Sequence, residues 1–251
     1  MGKTQALRRK HLSGLDLRRY LYKRRTVVHR LTAESVGLGI LLAVVGGFLD
    51  AYTYVSRDGV FATSQTGNLV LLGVEVAHGQ WIQGLRHIPP IFAFVLGVSV
   101  AEGLKHPQIT RTFPHPARTV LLLESIVLVI VGTWPVQVPN MIVTITIAFV
   151  ASVQISSFRT LVQWPYNSAM VTGNLRTAAQ AAYTALVLHD RKGLLQLLDF
   201  TLIIVSFLLG ALIGTLTTLH WGTRAIWFAS GILLCAMLIL KANPKTLLNK
   251  S

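Results

Sequence analysis

GGFLDAYTYVSRDGVFATSQTGNLVLLG, residues 46–73, decides how this chain is read. It begins inside an apolar run, meets Asp50, and breaks at Arg57-Asp58-Gly59. Thr66-Gly67-Asn68 then stands immediately before a new apolar run, and the same tripeptide returns as Thr172-Gly173-Asn174. Thr and Asn ahead of an apolar run are helix-capping residues, and Gly permits the backbone angles a break requires. A helix start carries unpaired N–H groups and about half a positive charge. At membrane depth such backbone survives only when buried by protein or lining a wet cavity.

Composition puts the break at membrane depth. The chain has 251 residues, 52% hydrophobic and 13% charged, with mean hydropathy +0.57. Soluble domains carry about 25% charged residues, so an all-α integral membrane protein is expected. Apolar runs long enough to cross, roughly 17–25 residues, centre on 36–55, 89–103, 118–134, 140–158, 197–218 and 224–240. Cys235 is the single cysteine, so the chain can close no disulfide within itself, and its place in the last run points to packing.

Charge orients these runs. Residues 1–30 hold ten Lys/Arg against one Asp, which places +9 of the net +14 there. RRKHLSGLDLRRYLYKRR (8–25) is too long for a signal-peptide n-region, and no A-x-A-like site follows the first apolar run. It reads as a retained cytoplasmic arm whose interleaved leucines suit a helix lying on anionic headgroups; nucleic-acid binding is the rival reading of such an arm, disfavoured beside a membrane span. If the segments after each Thr-Gly-Asn (68–78 and 174–188) do not cross, there are six spans; if both cross, eight. With six, Lys105, Arg111, Arg118, Arg159, Arg191, Lys192 and the tail lysines are all cytoplasmic, while the uncharged WPVQVPN link (134–140) is outside. Six spans satisfy the positive-inside rule better. The expected layout is a basic arm (1–34), a first membrane repeat (35–136), a second (137–241) and a short basic tail (242–251).

The repeat rests on two matches in the same order. Thr66-Gly67-Asn68-Leu69 recurs 106 residues later, and Phe94-Val95-Leu96-Gly97-(x3)-Ala101 recurs 113 residues later as Phe207-Leu208-Leu209-Gly210-(x3)-Gly214. A duplicated unit of three spans enters the membrane from opposite sides, which gives an inverted repeat of the kind transporters use. The small-xxx-small pairs are expected to let helices approach closely.

Two helix starts facing each other at the midplane would make a site for an anionic or strongly polar ligand; the alternative is that both motifs merely cap helices at headgroup level. Arg176, in a first turn where the helix dipole disfavours a cation, calls for a partner: a bound anion, a carboxylate such as Asp50 or Glu75, or headgroup phosphate. Asp50 and Glu75 are the ionisable groups read as proton-coupling residues or as ion-pair partners of Arg57, Arg159 or Arg176. Glu75 shares a helical face with Asn68, seven residues earlier. Ser156 or Gln154 stands in the second unit where the first has Asp50. Glu102, Glu124 and Asp199 lie near span ends, where snorkelling explains them. The eight histidines are scattered without metal-ligand spacing, and there is no phosphate loop, nucleophile elbow or dinucleotide fingerprint. Neither an enzyme nor a cofactor is expected.

Gly46-Gly47-Phe48-Leu49-Asp50-Ala51-Tyr52, Gly59-Val60-Phe61-Ala62, Gln65-Thr66-Gly67-Asn68 and Met170-(x)-Thr172-Gly173-Asn174-Leu175-Arg176 resemble the YoaK-like family of bacterial inner-membrane proteins, a domain of unknown function. The likeness runs over roughly residues 35–241. It implies a six-span bacterial membrane protein and brings no substrate; the charge distribution is what places both termini in the cytoplasm. The functional expectation is a small secondary transporter or channel-like permease for a small polar or anionic solute. Thr66, Gly67, Asn68, Thr172, Gly173, Asn174 and Arg176 would line its site. A non-transporting scaffold, with the basic arm recruiting anionic lipid or a partner, is the alternative.

Overall fold

A computed structural model describes residues 34–106, 108 and 116–241; the basic arm and the C-terminal tail lie outside them. The described chain is an all-α membrane protein with one two-residue-stranded hairpin. Helix α1 (Val36–Ser56) is followed by a non-helical break, the half-length α2 (Gln65–Ala77), the single-turn α3 (Trp81–Leu85), α4 (Ile88–Leu104) and α5 (Pro116–Thr133). Helix α6 (Asn140–Ser157) leads into the hairpin β1 (Thr160–Leu161) and β2 (Trp164–Pro165), then α7 (Val171–Leu186), α8 (Arg191–Trp221) and α9 (Ile226–Lys241).

Five stretches are long and apolar enough to cross a membrane, and the last, Arg191–Leu238, runs for 48 residues. At 1.5 Å per residue one helix of that length would span about 70 Å, twice a bilayer core. Gly222 divides it. Its φ of +58° and ψ of −136° are angles a side chain resists, and its N–H caps α8 by donating to the Thr218 carbonyl. Helices α2 and α7, at 13 and 16 residues, fall short of a crossing.

Burial ranks the helices. In its most apolar window α1 is 72% buried and α6 61%, against 28% to 39% for the other stretches. The first helices of the two sequence halves are therefore the inner ones, and the rest leave one apolar side exposed. Helix α1 packs most extensively on α8, α4 on α6, and α5 on α9. Small residues set these approaches, as the spacing predicts. A Cβ on Gly210 would collide with the Val44 carbonyl, one on Gly47 with the Phe207 carbonyl, and one on Gly97 with Ser152 and the Phe149 carbonyl. Gly97 in the first half thus leans on the second, and Gly210 in the second leans on the first. Along α1 and α8 the contacts advance together, Gly39 on Ile203 and Phe48 on Gly214, so the two helices run parallel. Helices α5 and α9 run antiparallel: Arg118 donates to the Leu240 carbonyl (2.7 Å), Ser230 to the Ser125 carbonyl (3.0 Å) and Trp227 Nε1 to the Val129 carbonyl (3.1 Å).

Polar ties close both ends. At one, buried Arg57 donates to Asn140 Oδ1 (3.0 Å) and to the Tyr52 hydroxyl (3.0 Å), which donates on to the Thr223 carbonyl (3.0 Å). At the other, Val162 donates its N–H to the Glu34 carbonyl (2.7 Å), tying the hairpin to the start of α1.

Two placements differ from expectation. Glu124 and Asp199 do not snorkel; both are buried. Glu124 falls on the inward stripe of α5 with Val120, Leu121, Ser125 and Leu128. Helix α8 begins at Arg191, earlier than its apolar run, so Asp199 sits in its third turn instead of at its end. Glu102 is exposed and pairs with Lys105 (2.6 Å).

Candidate functional site

The break after α1 is built around two side chains. Asp50 Oδ1 accepts from the backbone N–H groups of Thr63 (2.6 Å) and Ser64 (3.3 Å), and its Oδ2 accepts from the Thr63 hydroxyl (2.8 Å). Thr53, one turn from Asp50, accepts from the Ala62 N–H (3.1 Å). Asn68 grips the strand from the other side. Its Oδ1 accepts from the Phe61 N–H (3.0 Å), and its Nδ2 donates to the Phe61 carbonyl (2.8 Å) and to Gln65 Oε1 (2.9 Å). One side-chain amide therefore pairs both backbone groups of the residue seven positions earlier. That satisfies what lipid cannot.

The second break repeats the device at the same spacing. Asn174 Oδ1 accepts from the Asn167 N–H (3.3 Å), and its Nδ2 donates to the Asn167 carbonyl (2.6 Å). Asn167 in turn accepts from the N–H groups of Ala169 (2.9 Å) and Met170 (3.1 Å) through its own side chain, a local turn that Asn favours. Gln154 accepts from the Ser168 hydroxyl (3.4 Å), fourteen residues on, as Asp50 accepts from Ser64. Of the two counterparts the sequence offered for Asp50, Gln154 takes the role.

Thr-Gly-Asn is not a cap in either copy. The N-caps are Ser64 and Met170, neither making a side-chain cap bond, and the tripeptide lies within the first turn. The asparagine reaches backward to the break because the break folds alongside the helix it precedes. Asn68 and Asn174 are buried. Gly67 sits against the Phe61 ring, and Thr66, Thr172, Gly173 and Arg176 lie on exposed surface. Arg176 makes no ion pair among the described residues, and Asp50 pairs with backbone and hydroxyl donors instead of an arginine. Glu75 is half-buried and lies 3.4 Å from Nε2 of buried His87, whose Nδ1 is 3.3 Å from Asn68 Oδ1. His87 was hidden among scattered histidines; its only sequence signal is a place directly before Ile88-Pro89-Pro90, the start of α4.

Both breaks meet one face of α1. Asp50 holds the first, while a Cβ placed on Gly46, one turn earlier, would lie 3.3 Å from Ser168 and Ala169 of the second. A side chain at Gly46 would push the second break away. Asp50, Thr63, Asn68, Gln154, Ser168 and Asn174 are all buried, so the middle of α1 is sheathed in amides, hydroxyls and one carboxylate. No cluster of three metal-ligating side chains occurs among the described residues. Hydrogen bonds within the breaks engage Asp50, Thr63, Asn68, Gln154, Ser168 and Asn174 alike.

Because an asparagine keeps one oxygen for the Thr63 and Ser64 N–H groups, Asp50→Asn will keep the fold, with the Thr63 hydroxyl turning to accept. Asp50→Leu will strand three donors, each costing about 1–3 kcal/mol. Thermal unfolding in detergent checks this: the Asn variant should melt near wild type and the Leu variant far below it.

A family model described as "Protein of unknown function (DUF1275)" matches residues 38–239. UPF0700 transmembrane protein YoaK of Bacillus subtilis (strain 168) is 24% identical over 212 residues, which cover 81% of this chain and 94% of YoaK. No solved structure matches. The matched span takes in both breaks, both asparagines and all but the outermost two residues of the first and last helices described above, and on that extent the chain belongs to the DUF1275 family of transmembrane proteins, to which the YoaK-like resemblance pointed.

Proposed function

We propose that this protein is a small secondary transporter or channel-like permease for a small polar or anionic solute. In this reading it crosses a bacterial cytoplasmic membrane six times, both termini inside, as two inverted three-span units. Helices α1, α4 and α5 form one unit and α6, α8 and α9 the other, with α2 and α7 as half-helices. The reciprocal packing of α1 on α8 and α4 on α6 supports the pairing, and three crossings per unit invert the second.

The observation that carries the proposal is the meeting of both breaks on one face of α1, a turn apart. Irregular backbone from two related halves, joined at one buried polar centre, is what alternating access needs. Asp50 and Gln154 border that centre. Arg57, buried with no carboxylate in contact among the described residues, is the cation an anionic solute would pass. Thr66, Thr172, Gly173 and Arg176 would meet solute only outside the closed centre.

Proteoliposome uptake tests it, with a panel of small zwitterions and anions. Wild type should move at least one solute above empty vesicles, and Gln154→Leu should slow that flux about tenfold or more, the effect of one lost binding contact. If correctly folded protein moves none of the panel, the permease reading falls.

The +9 charge of residues 1–30 favours a second reading, a scaffold whose arm holds anionic lipid or a partner. Deleting residues 1–30 separates the two. A permease keeps its flux; a recruiter loses its partner.

A further inference from the structure

The proton count around His87 is fixed by its neighbours. Three hydrogen bonds set the orientation of the Asn68 amide, since both Nδ2 hydrogens are taken by Phe61 and Gln65 and Oδ1 already accepts from the Phe61 N–H. Flipping it would oppose like groups at all three contacts. His87 Nδ1 therefore faces an acceptor and must carry a hydrogen. That leaves Nε2 3.4 Å from Glu75 Oε2, with neither atom in a hydrogen bond. Two acceptors cannot face each other in a buried site without repelling. A proton on the carboxyl or on the ring would remove that repulsion.

We propose that Glu75 and His87 together form a proton-binding site that clamps α2 to the start of α4, and that loss of its proton frees the first break. The proton leaves to water through Glu75, whose side chain is 24% exposed against 1% for His87. His87 remains neutral with hydrogen on Nδ1, and Glu75 remains a carboxylate facing the bare Nε2 lone pair. The two then separate, and Asn68 loses its bond to the ring. Little else competes for the role. Helices α3 and α6, which pack on α4, contribute no titratable side chain; α2 contributes Glu75 and, at its C-cap, the exposed His78. At the rim Arg86 donates to the Asp58 carbonyl (3.3 Å), and Asp50, across the break, is occupied by Thr63 and Ser64. Among the described residues the second half has no such pair: Asn174 bonds there to Asn167. The two halves would thus be unequal, one answering to protons and one not.

The proposal deepens the permease reading by naming the coupling ion, yet its test needs no transport. Nitrogen NMR of histidine-labelled protein in nanodiscs, with the His87 signal assigned by its loss in His87→Gln, should show hydrogen on Nδ1 as pH is raised from about 5 to about 9. Over that range hydrogen exchange of the amides at residues 61–64, corrected for intrinsic rate, should quicken about tenfold in wild type, the equivalent of one lost clamp. Glu75→Gln, whose amide can donate to Nε2, should hold these amides protected at every pH; Glu75→Ala should leave them exposed at every pH. Hydrogen on Nε2 with a bare Nδ1, or the same exchange in the Gln and Ala variants, overturns the proposal. A failed uptake panel with the expected NMR and exchange would sink transport alone.

Discussion

Gly210→Val will prevent α1 and α8 from assembling, and little folded protein will be recovered from the membrane. The clash is with backbone. A Cβ at Gly210 would overlap the Val44 carbonyl, and the same helix pair has Gly47 pressed against the Phe207 carbonyl and Gly214 against Phe48. A side chain can change rotamer to make room, whereas a carbonyl in mid-helix moves only with its helix. Overpacking costs about 1–3 kcal/mol when side chains yield, so this substitution lies at or above the upper end. Helix association in lipid has no hydrophobic drive to offset it, because the tails are as apolar as leucine. Gly210→Ala should weaken the pair in the same direction with a smaller fall in melting temperature. Gly73→Ala is the control: nothing lies within 4 Å of its added methyl, and alanine favours a helix by about 1 kcal/mol over glycine, so this variant should melt at or slightly above wild type. Equal melting of Gly210→Val and Gly73→Ala, followed by tryptophan fluorescence, would contradict this account of the bundle.

Those same glycines mark how far the sequence speaks. Spacing in Phe94-Val95-Leu96-Gly97 and Phe207-Leu208-Leu209-Gly210 is enough to expect close packing, because only small residues let backbones approach. It cannot say which helix approaches. That Gly97 meets Phe149 and Gly210 meets Val44, each across the boundary between halves, depends on which pairing buries most surface in the assembled bundle. The apolar runs were legible within a turn or two, except where α8 starts. Arg191 and Lys192 look like loop, yet Asp190 caps the helix by accepting from the Lys192 N–H (3.0 Å), which draws the polar residues into its first turn.

The breaks were legible as breaks, and their chemistry was not. Capping rules look forward from Thr-Gly-Asn to the N–H groups of the following helix. Asn68 and Asn174 look backward to residues 61 and 167, a contact created only when the break folds against its own helix. Asp50 invited an arginine partner by charge, but three donors from Thr63 and Ser64 reach it first. His87 lies twelve residues from Glu75 beyond a turn and the short α3, outside any local spacing rule. Arg176 has a conspicuous place in the motif and an exposed one in the fold.

Asn68→Leu should therefore damage the protein more than Asn174→Leu, although the tripeptides are identical. Each substitution strands one backbone N–H and one carbonyl in a buried setting, and an unpaired buried polar group costs about 1–3 kcal/mol, so either loss alone is of the order of several kcal/mol. The second break retains support of its own, since the Asn167 side chain still holds the N–H groups of Ala169 and Met170 and Ser168 still reaches Gln154. The first break loses more. Gln65 Oε1 and His87 Nδ1 both bond to the Asn68 amide, and the His87–Glu75 clamp loses the group that orients its ring. Asn68→Asp discriminates further, because a carboxylate can accept from Phe61 N–H and His87 but sets a negative oxygen against the Phe61 carbonyl and Gln65 Oε1. The expected order of melting temperature is wild type, Asn174→Leu, Asn68→Asp, Asn68→Leu. Were Asn174→Leu the least stable, the second break would be the one on which the buried centre depends, and the inequality between the halves would run the other way.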